Sequence, residues 1–147
     1  MADIDARKEF DSGLALFKAG NILRALGHFE KAMAECPTSL CASYYAYCVA
    51  KERGHVKKGI ALCREALEKE PGTTVHYLNL ARIHLLGRNK DDAITVLREG
   101  VQHAPDPEIN DLLDHIGVRK QPVVSSMPRD SLVNKYLGLL LSKLGLR

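Results

Sequence analysis

Small and apolar residues recur at fixed intervals along most of the chain, and single glycines and prolines separate them. Within each segment the apolar positions lie three or four residues apart, which places them on one face of an α-helix. Glycine readily ends a helix and proline cannot continue one, so these residues mark the helix boundaries. The pattern predicts helices over residues 5–19, 22–35, 39–53, 56–69, 73–86, 90–103 and 107–116.

The segments repeat with a period of 34 residues, which separates Pro37 from Pro71 and Pro71 from Pro105. Positions upstream of each proline hold similar residues, as expected of an array of structural repeats. These residues are Ala32, Ala66 and Gly100 five positions upstream, Phe29, Cys63 and Leu97 eight positions upstream, and Ala25, Gly59 and Ala93 twelve positions upstream.

Each repeated position has a physical reason. Gly20 and Gly54 lie where the first helix of a pair turns into the second, a place that favours glycine. Small residues such as Ala25 and Gly59 let the two helices approach closely, and a larger residue such as Phe29 fills the space between them. We therefore expect pairs of antiparallel helices.

This spacing resembles the tetratricopeptide-repeat (TPR) family, whose units have a small residue, an aromatic or apolar residue, an alanine and a proline in these places. The matching residues are Gly13, Ala25, Phe29, Ala32 and Pro37 in repeat one, and Leu80, Ala81, Ala93, Leu97 and Pro105 in repeat three. The resemblance covers residues 6–105. It implies an all-α, right-handed solenoid of three helix hairpins, at residues 4–37, 38–71 and 72–105, with residues 106–116 as a capping helix. Together these form a domain of residues 1–116.

Repeat two departs most from the family pattern. Tyr47 stands where a small residue is usual, and Cys63 stands where a larger apolar residue is usual. We expect looser or shifted helix packing in this repeat.

The resemblance also implies a binding groove, because the first helix of each TPR hairpin lines a concave surface that usually holds a partner. The implied groove is mostly apolar and aromatic, which suits a peptide or helix of another protein. The alternative is that Phe10, Leu14 and Tyr44 serve only to pack the helices together. The groove positions are Arg7, Phe10, Leu14, Lys18, Cys41, Tyr44, Tyr45, Cys48, Val75, Leu78, Asn79 and Arg82.

One specialised TPR function is disfavoured by the sequence. TPR domains that hold the acidic C-terminus of heat-shock chaperones use a lysine and an asparagine, four residues apart, on the first helix. Phe10 and Leu14 occupy these positions here. Neither side chain offers a charge or an amide to a carboxylate.

The C-terminal segment differs from the repeats. Residues 117–130 contain Pro122 and Pro128 and read as an extended linker. Residues 131–147 read as an amphipathic helix with a basic polar face, since residues 117–147 hold six Lys/Arg and one Asp. This helix has three possible sites: the repeats themselves, a second copy or other protein, or an anionic membrane surface. Action as a peripheral membrane or assembly factor is therefore the alternative function.

The remaining chemistry argues for a cytoplasmic binding protein without cofactor. The N-terminus is acidic and does not resemble a signal peptide. The four cysteines form no C-x-x-C pair, and we interpret them as reduced structural thiols. The six histidines form no metal or catalytic motif, so we expect neither a metal site nor an enzyme. Nucleic-acid binding ranks third, because the tail offers few basic residues and a single aromatic one, Tyr136.

Overall fold

The computed structural model describes residues 2–117. The described residues up to Ile116 form one compact unit built of helices, with no β-strand in this part of the chain. The predicted all-α repeat fold is thereby confirmed for these residues, and α1 begins three residues earlier than predicted. The predicted linker and C-terminal helix, residues 117–130 and 131–147, lie outside the described part apart from Gly117. The helices are α1 Ala2–Lys18, α2 Ile22–Glu35, α3 Ser39–Arg53, α4 Val56–Lys69, α5 Thr74–Leu86, α6 Lys90–His103 and α7 Pro107–His115.

The helices pack as three hairpins in a row. Helix α1 packs on α2, α3 on α4 and α5 on α6, and neighbouring hairpins meet through α2–α3, α3–α5 and α4–α5 contacts. Helix α7 packs on α6 and α5 and covers the apolar side of the third hairpin, where Ile109 is fully buried. Repeat arrays need such a cap, because each unit otherwise leaves one apolar face exposed.

The three turns inside the hairpins share a left-handed residue at the same register position. Gly20 has a φ of 79° and Gly54 has a φ of 71°, a conformation that costs glycine nothing. In the third turn Arg88 takes this place with a φ of 61°. A side chain in the left-handed region costs about 1 kcal/mol, so the third turn keeps the repeat geometry without the residue that favours it.

The second hairpin is closely packed, contrary to the expectation from Tyr47 and Cys63. In the first hairpin Gly13 leaves room for the ring of Phe29, which reaches within 2.8 Å of where a Cβ would lie. In the second hairpin the large residue is on the first helix and the small one on the second, because half-buried Tyr47 packs on the cluster that contains Cys63. The two substitutions compensate each other in volume, which is the change that a core tolerates best.

Three of the four thiols are buried in this core. Cys41, Cys48 and Cys63 are free and buried, whereas Cys36 is half-buried at the end of α2. Burial raises the pKa of Cys41 to about 11 and that of Cys63 to about 12. The thiol of Cys41 donates to the carbonyl oxygen of Phe29 at 3.8 Å. Among the described residues, no helix is long and apolar enough to cross a membrane.

Candidate protein-interaction surface

Helices α1, α3 and α5 lie side by side and share one surface, called here the first-helix face. The rings of Phe17 in α1 and Tyr44 in α3 meet edge to face, with centroids 5.0 Å apart. From α5 the guanidinium carbon of Arg82 lies 6.0 Å from the centroid of the Phe17 ring. These side chains therefore make the three first helices one continuous surface.

An aromatic cluster lies beneath and within this face. Phe29 is fully buried and stacks on Tyr44 with a centroid distance of 5.6 Å. Phe10, Phe17 and Tyr47 surround this pair and remain half-buried. Phe10 and Tyr44 thus pack the helices together and remain half-buried, and their contact with a partner stays a prediction. Aromatic pairs of this geometry are worth about 0.5–1.5 kcal/mol beyond the area they bury.

A line of polar contacts crosses the face from α3 to α7. The amide of Asn79 donates to the hydroxyl of Ser43 at 3.2 Å, and both side chains are fully buried. The Arg82 guanidinium donates to Asn79 Oδ1 at 3.3 Å and to Glu108 Oε2 at 3.2 Å. Burial raises the pKa of Tyr44, and the charge of Glu108 raises it further while Arg82 opposes this. Arg82, a cation of the predicted groove, is thus already bonded to neighbours within the chain.

The structure corrects the prediction for four of the twelve groove residues. Cys41, Cys48, Leu78 and Asn79 are at most 4% exposed and belong to the core, so they offer no surface to a partner. The other eight keep accessible surface: Arg7 and Lys18 are exposed, and Phe10, Leu14, Tyr44, Tyr45, Val75 and Arg82 are half-buried.

Two of these eight are apolar side chains that the core does not use. Among the described residues, Leu14 and Val75 belong to none of the three core clusters. Each is half-buried on the first-helix face, on α1 and α5 respectively. Their apolar surface is therefore available for contact with another molecule.

Sequence reasoning missed two residues of this face. Phe17 lies seven positions after Phe10, two helical turns further on the same side of α1, and this spacing was a usable signal. Glu108 comes from the capping helix α7 and meets Arg82 only in the folded chain. No pattern in the sequence points to that ion pair.

A cavity of about 430 Å³ lies at one end of the face, beside the start of α1. Arg7 and Phe10 line it from α1 and half-buried Leu40 lines it from α3, whereas Cys41 borders it but is only 1% exposed. Cys36 and Glu70 line it from the ends of α2 and α4. Its lining is mostly apolar with Arg7 and Glu70 as charges, a composition suited to an apolar side chain of a bound peptide.

The histidines occupy structural or solvated positions within the described residues. His28 Nδ1 lies 2.6 Å from Glu9 Oε2 and links α2 to α1. His76 and His84 are buried in α5, and burial lowers the pKa of each. Residues 2–117 contain no group of three His, Cys, Asp or Glu side chains that is able to hold a metal ion.

Comparison with known proteins identifies the class. Residues 50–116 match the sequence model of the tetratricopeptide repeat, and the described helices have the architecture of TPR domains. Residues 50–116 are therefore tetratricopeptide repeats, and the described helices share the fold of TPR domains. No curated protein matches its sequence significantly.

Solved TPR structures have the same fold at low sequence identity. The first TPR of Spaghetti (RPAP3), bound to the HSP90 peptide SRMEEVD, is 16% identical with a TM-score of 0.62, over 78% of this chain and 91% of that one. The second TPR domain of human RPAP3, in complex with the HSP70 peptide SGPTIEEVD, is 16% identical with a TM-score of 0.62, over 81% and 100%. The TPR domain of P58(IPK) is 21% identical with a TM-score of 0.60, over 76% of this chain and 32% of that one.

Proposed function

We propose that this protein is an interaction scaffold or adaptor that binds a peptide or helix of another protein on the first-helix face. The observation that carries the proposal is the apolar surface of Leu14 and Val75, which lies on this face and outside the core clusters. The partly exposed rings of Phe10 and Tyr44 extend it. Two TPR domains of similar fold hold peptides, which supports a peptide as the ligand.

The chemistry of the face favours an apolar ligand over an acidic one. The peptides bound by the two RPAP3 domains both end in Glu-Glu-Val-Asp. In this chain Arg82 already contacts Glu108, so an acidic peptide would have to displace a carboxylate from it. Leu14 and Val75 offer no charge. An amphipathic helix with its apolar side toward Leu14 and Val75 fits the face better.

We further propose that binding needs no cofactor, metal or catalysis and takes place in the cytoplasm. The alternative functions assigned to residues 131–147, namely a homodimer contact or a membrane anchor, concern residues outside the described part and stay predictions. They do not depend on the first-helix face, so they are tested separately.

Site-specific crosslinking tests the proposed site. A photoreactive phenylalanine analogue replaces Leu14 in the full chain, and a matched variant carries it in place of Arg98, an exposed residue of α6. After irradiation in native lysate, we expect a protein crosslinked from position 14 and absent from position 98. Identical products from both positions, or none from position 14, would contradict the proposal.

A charge variant provides the second measurement. Leu14→Glu/Val75→Glu places two charges on the face, and both positions lie outside the core clusters. We expect it to fold, by circular dichroism, and to lose at least tenfold in affinity for the crosslinked partner. Unchanged affinity in the folded variant would place the contact elsewhere. Substituting Phe10, Tyr44 or Leu78 is less informative, because these residues also hold the core together.

A further inference from the structure

The hairpin architecture gathers the turns along two opposite edges. The turns inside the hairpins, centred on Gly20, Gly54 and Arg88, lie along one edge, where Val56 Cγ1 is 3.1 Å from the place of a Cβ on Gly87. The turns between units, centred on Pro37, Pro71 and Pro105, lie along the other. There the hydroxyl of Thr74 donates to Asp106 across two neighbouring turns.

The two edges carry opposite charge. Within five residues of the three turns inside the hairpins there are eight basic and three acidic residues, and this is the basic edge. Within five residues of the three turns between units there are five acidic residues and one basic residue, and this is the acidic edge. The basic edge holds Lys18, Arg24, Lys51, Arg53, Lys57, Lys58, Arg88 and Lys90 with Glu52, Asp91 and Asp92; the acidic edge holds Glu35, Glu68, Glu70, Asp106 and Glu108 with Lys69.

Positive charge is densest at the turn of the second hairpin, where it does not stabilise the helix α4 that begins there. Lys57 and Lys58 occupy the first turn of α4, where the helix dipole disfavours cations. His55 precedes them and makes no side-chain cap. Of the other two helices that begin at this edge, α6 has Asp91 and Asp92 in its first turn after Lys90, and α2 has Arg24. Residues that break a local rule without a gain in stability are expected at functional sites.

Nearby contacts hold three of these cations without burying them, and one of the three, Arg53, is paired with Glu30 at 2.7 Å. Lys58 lies over the ring of Tyr45 at 5.7 Å and Lys51 over that of Tyr47 at 5.8 Å. Lys57 and Lys58 line an open concavity of about 600 Å³ together with the turn itself. All three lysines are exposed.

Two of the most exposed apolar side chains flank this charge. Leu23, in the first turn of α2, is 65% exposed, and Leu86, at the end of α5, is 40% exposed. They stand on either side of the Lys57–Lys58 turn, one in each neighbouring hairpin turn. Cations interleaved with protruding leucines are the combination that anionic bilayers attract, through their surface potential and through burial of apolar side chains at the headgroup boundary.

We propose that the basic edge is a docking surface for an anionic lipid bilayer. The edge follows the turns of all three hairpins, and its net positive charge lies at the first two, because Asp91 and Asp92 balance Arg88 and Lys90 at the third. The bilayer repels the acidic edge, so the charge separation sets one orientation, with the turns inside the hairpins toward the lipid. The first-helix face shares only Lys18 with the basic edge, so a docked protein keeps Leu14 and Val75 available to a partner, and neither proposal depends on the other.

Vesicle flotation of the full chain tests this proposal, with phosphatidylcholine vesicles that contain or lack phosphatidylserine. We expect the unchanged protein to float only with the anionic vesicles. Lys57→Glu/Lys58→Glu should lower the partition coefficient at least tenfold, because each cation near an anionic surface contributes roughly a fivefold factor. Leu23→Ser/Leu86→Ser should lower it with little change in the salt dependence, since the leucines carry no charge.

Two matched variants distinguish the effect of the basic edge from the effects of net charge and of exposed apolar surface elsewhere. Arg64→Glu/Arg98→Glu makes the same change in charge at exposed positions within α4 and α6, and Ile4→Ser/Val101→Ser removes exposed apolar side chains away from the basic edge. We expect both to float like the unchanged protein. Failure of the unchanged protein to float with anionic vesicles would overturn the proposal, as would equal losses in edge and matched variants. Flotation that survives both edge variants would also overturn it and would direct attention to residues 131–147.

Discussion

A methyl group on Gly59 would lie 2.8 Å from the backbone carbonyl oxygen of Ala46. The two residues belong to the paired helices α3 and α4, and a backbone oxygen has little freedom to move aside. The same Cβ would meet Ala50 and Ile83 at 3.2 Å. This glycine therefore sets how closely the second hairpin packs.

Replacing Gly59 by alanine should destabilise the protein although alanine is the better helix former. The gain in helix propensity is about 1 kcal/mol, whereas overpacking a close contact costs typically 1–3 kcal/mol. We expect a net loss of up to about 2 kcal/mol in the free energy of unfolding, measured by urea titration.

Gly27→Ala is the matched control for that substitution. Gly27 is also inside a helix, but a Cβ there would meet nothing within 4 Å. Only the propensity then changes, so we expect a gain of about 0.5–1 kcal/mol. A loss of similar size at both positions would mean that close approach to Ala46 is not the cause.

The fold was predictable from the sequence because its strongest constraints are local. Proline after α2 and α4, and glycine after α1 and α3, prevent helix continuation whatever the surroundings. The helix bounds consequently agree with prediction within one residue at most ends. The start of α1 was missed because no proline or glycine precedes it.

The candidate site was less predictable, because α3 and α5 are each packed on several sides. Helix α3 contacts α2, α4 and α5, so apolar residues occur around most of its circumference. Periodicity then fails to separate a fully buried residue, such as Cys48, from one that keeps accessible surface, such as Tyr45. Asn79 was placed in the groove by the register of the TPR resemblance, and its buried contact with Ser43, which is distant in sequence, was not visible in the pattern.

The buried histidine His76 should make the stability depend on pH. Its side chain is fully buried, Nε2 lies 3.5 Å from Glu70 Oε2, and neither ring nitrogen has a hydrogen-bond partner among the described residues. Burial lowers its pKa from the ordinary value of 6.5, although Glu70 opposes the shift. Below pH 6.5 the unfolded chain therefore binds a proton more readily than the folded chain. The contribution of neutral His76 to the free energy of unfolding is fully present above pH 6.5. It falls as the pH decreases toward the lowered pKa, by up to about 1.4 kcal/mol per pH unit.

Urea titrations at several pH values check this expectation. His76→Gln should reduce this dependence below pH 6.5, and the part that remains includes His84, whose pKa is also lowered by burial. The Glu9 carboxylate affects stability in a lower pH range. The hydrogen bond with His28 lowers its pKa from the ordinary value of 4.5, so its contribution to folding stability is lost only below pH 4.5. If the free energy of unfolding of His76→Gln depends on pH as strongly as that of the unchanged protein, other groups cause the loss of stability at low pH.

The buried thiols should resist alkylation until the protein unfolds. Burial raises the pKa of Cys48 and Cys63 to about 12 and that of Cys41 to about 11, so each is almost wholly protonated at neutral pH and shielded from the reagent. We expect iodoacetamide to label these three at least a hundredfold more slowly in the folded protein than in urea. Peptide mass spectrometry reads each cysteine separately, and rapid labelling of Cys63 in the folded protein would show that the second hairpin opens.

Reversing the charge of Lys57 and Lys58 should stabilise the fold while it removes the proposed lipid contact. Both residues lie in the first turn of α4, where an acidic side chain interacts favourably with the helix dipole and a basic one does not. We expect Lys57→Glu/Lys58→Glu to raise the free energy of unfolding by about 0.5–2 kcal/mol. Thermal unfolding followed by circular dichroism measures it, with Arg98→Glu, inside α6, as the control expected to change little. A destabilised double variant would mean that the two lysines support the fold, and weaker vesicle binding would then have a structural cause.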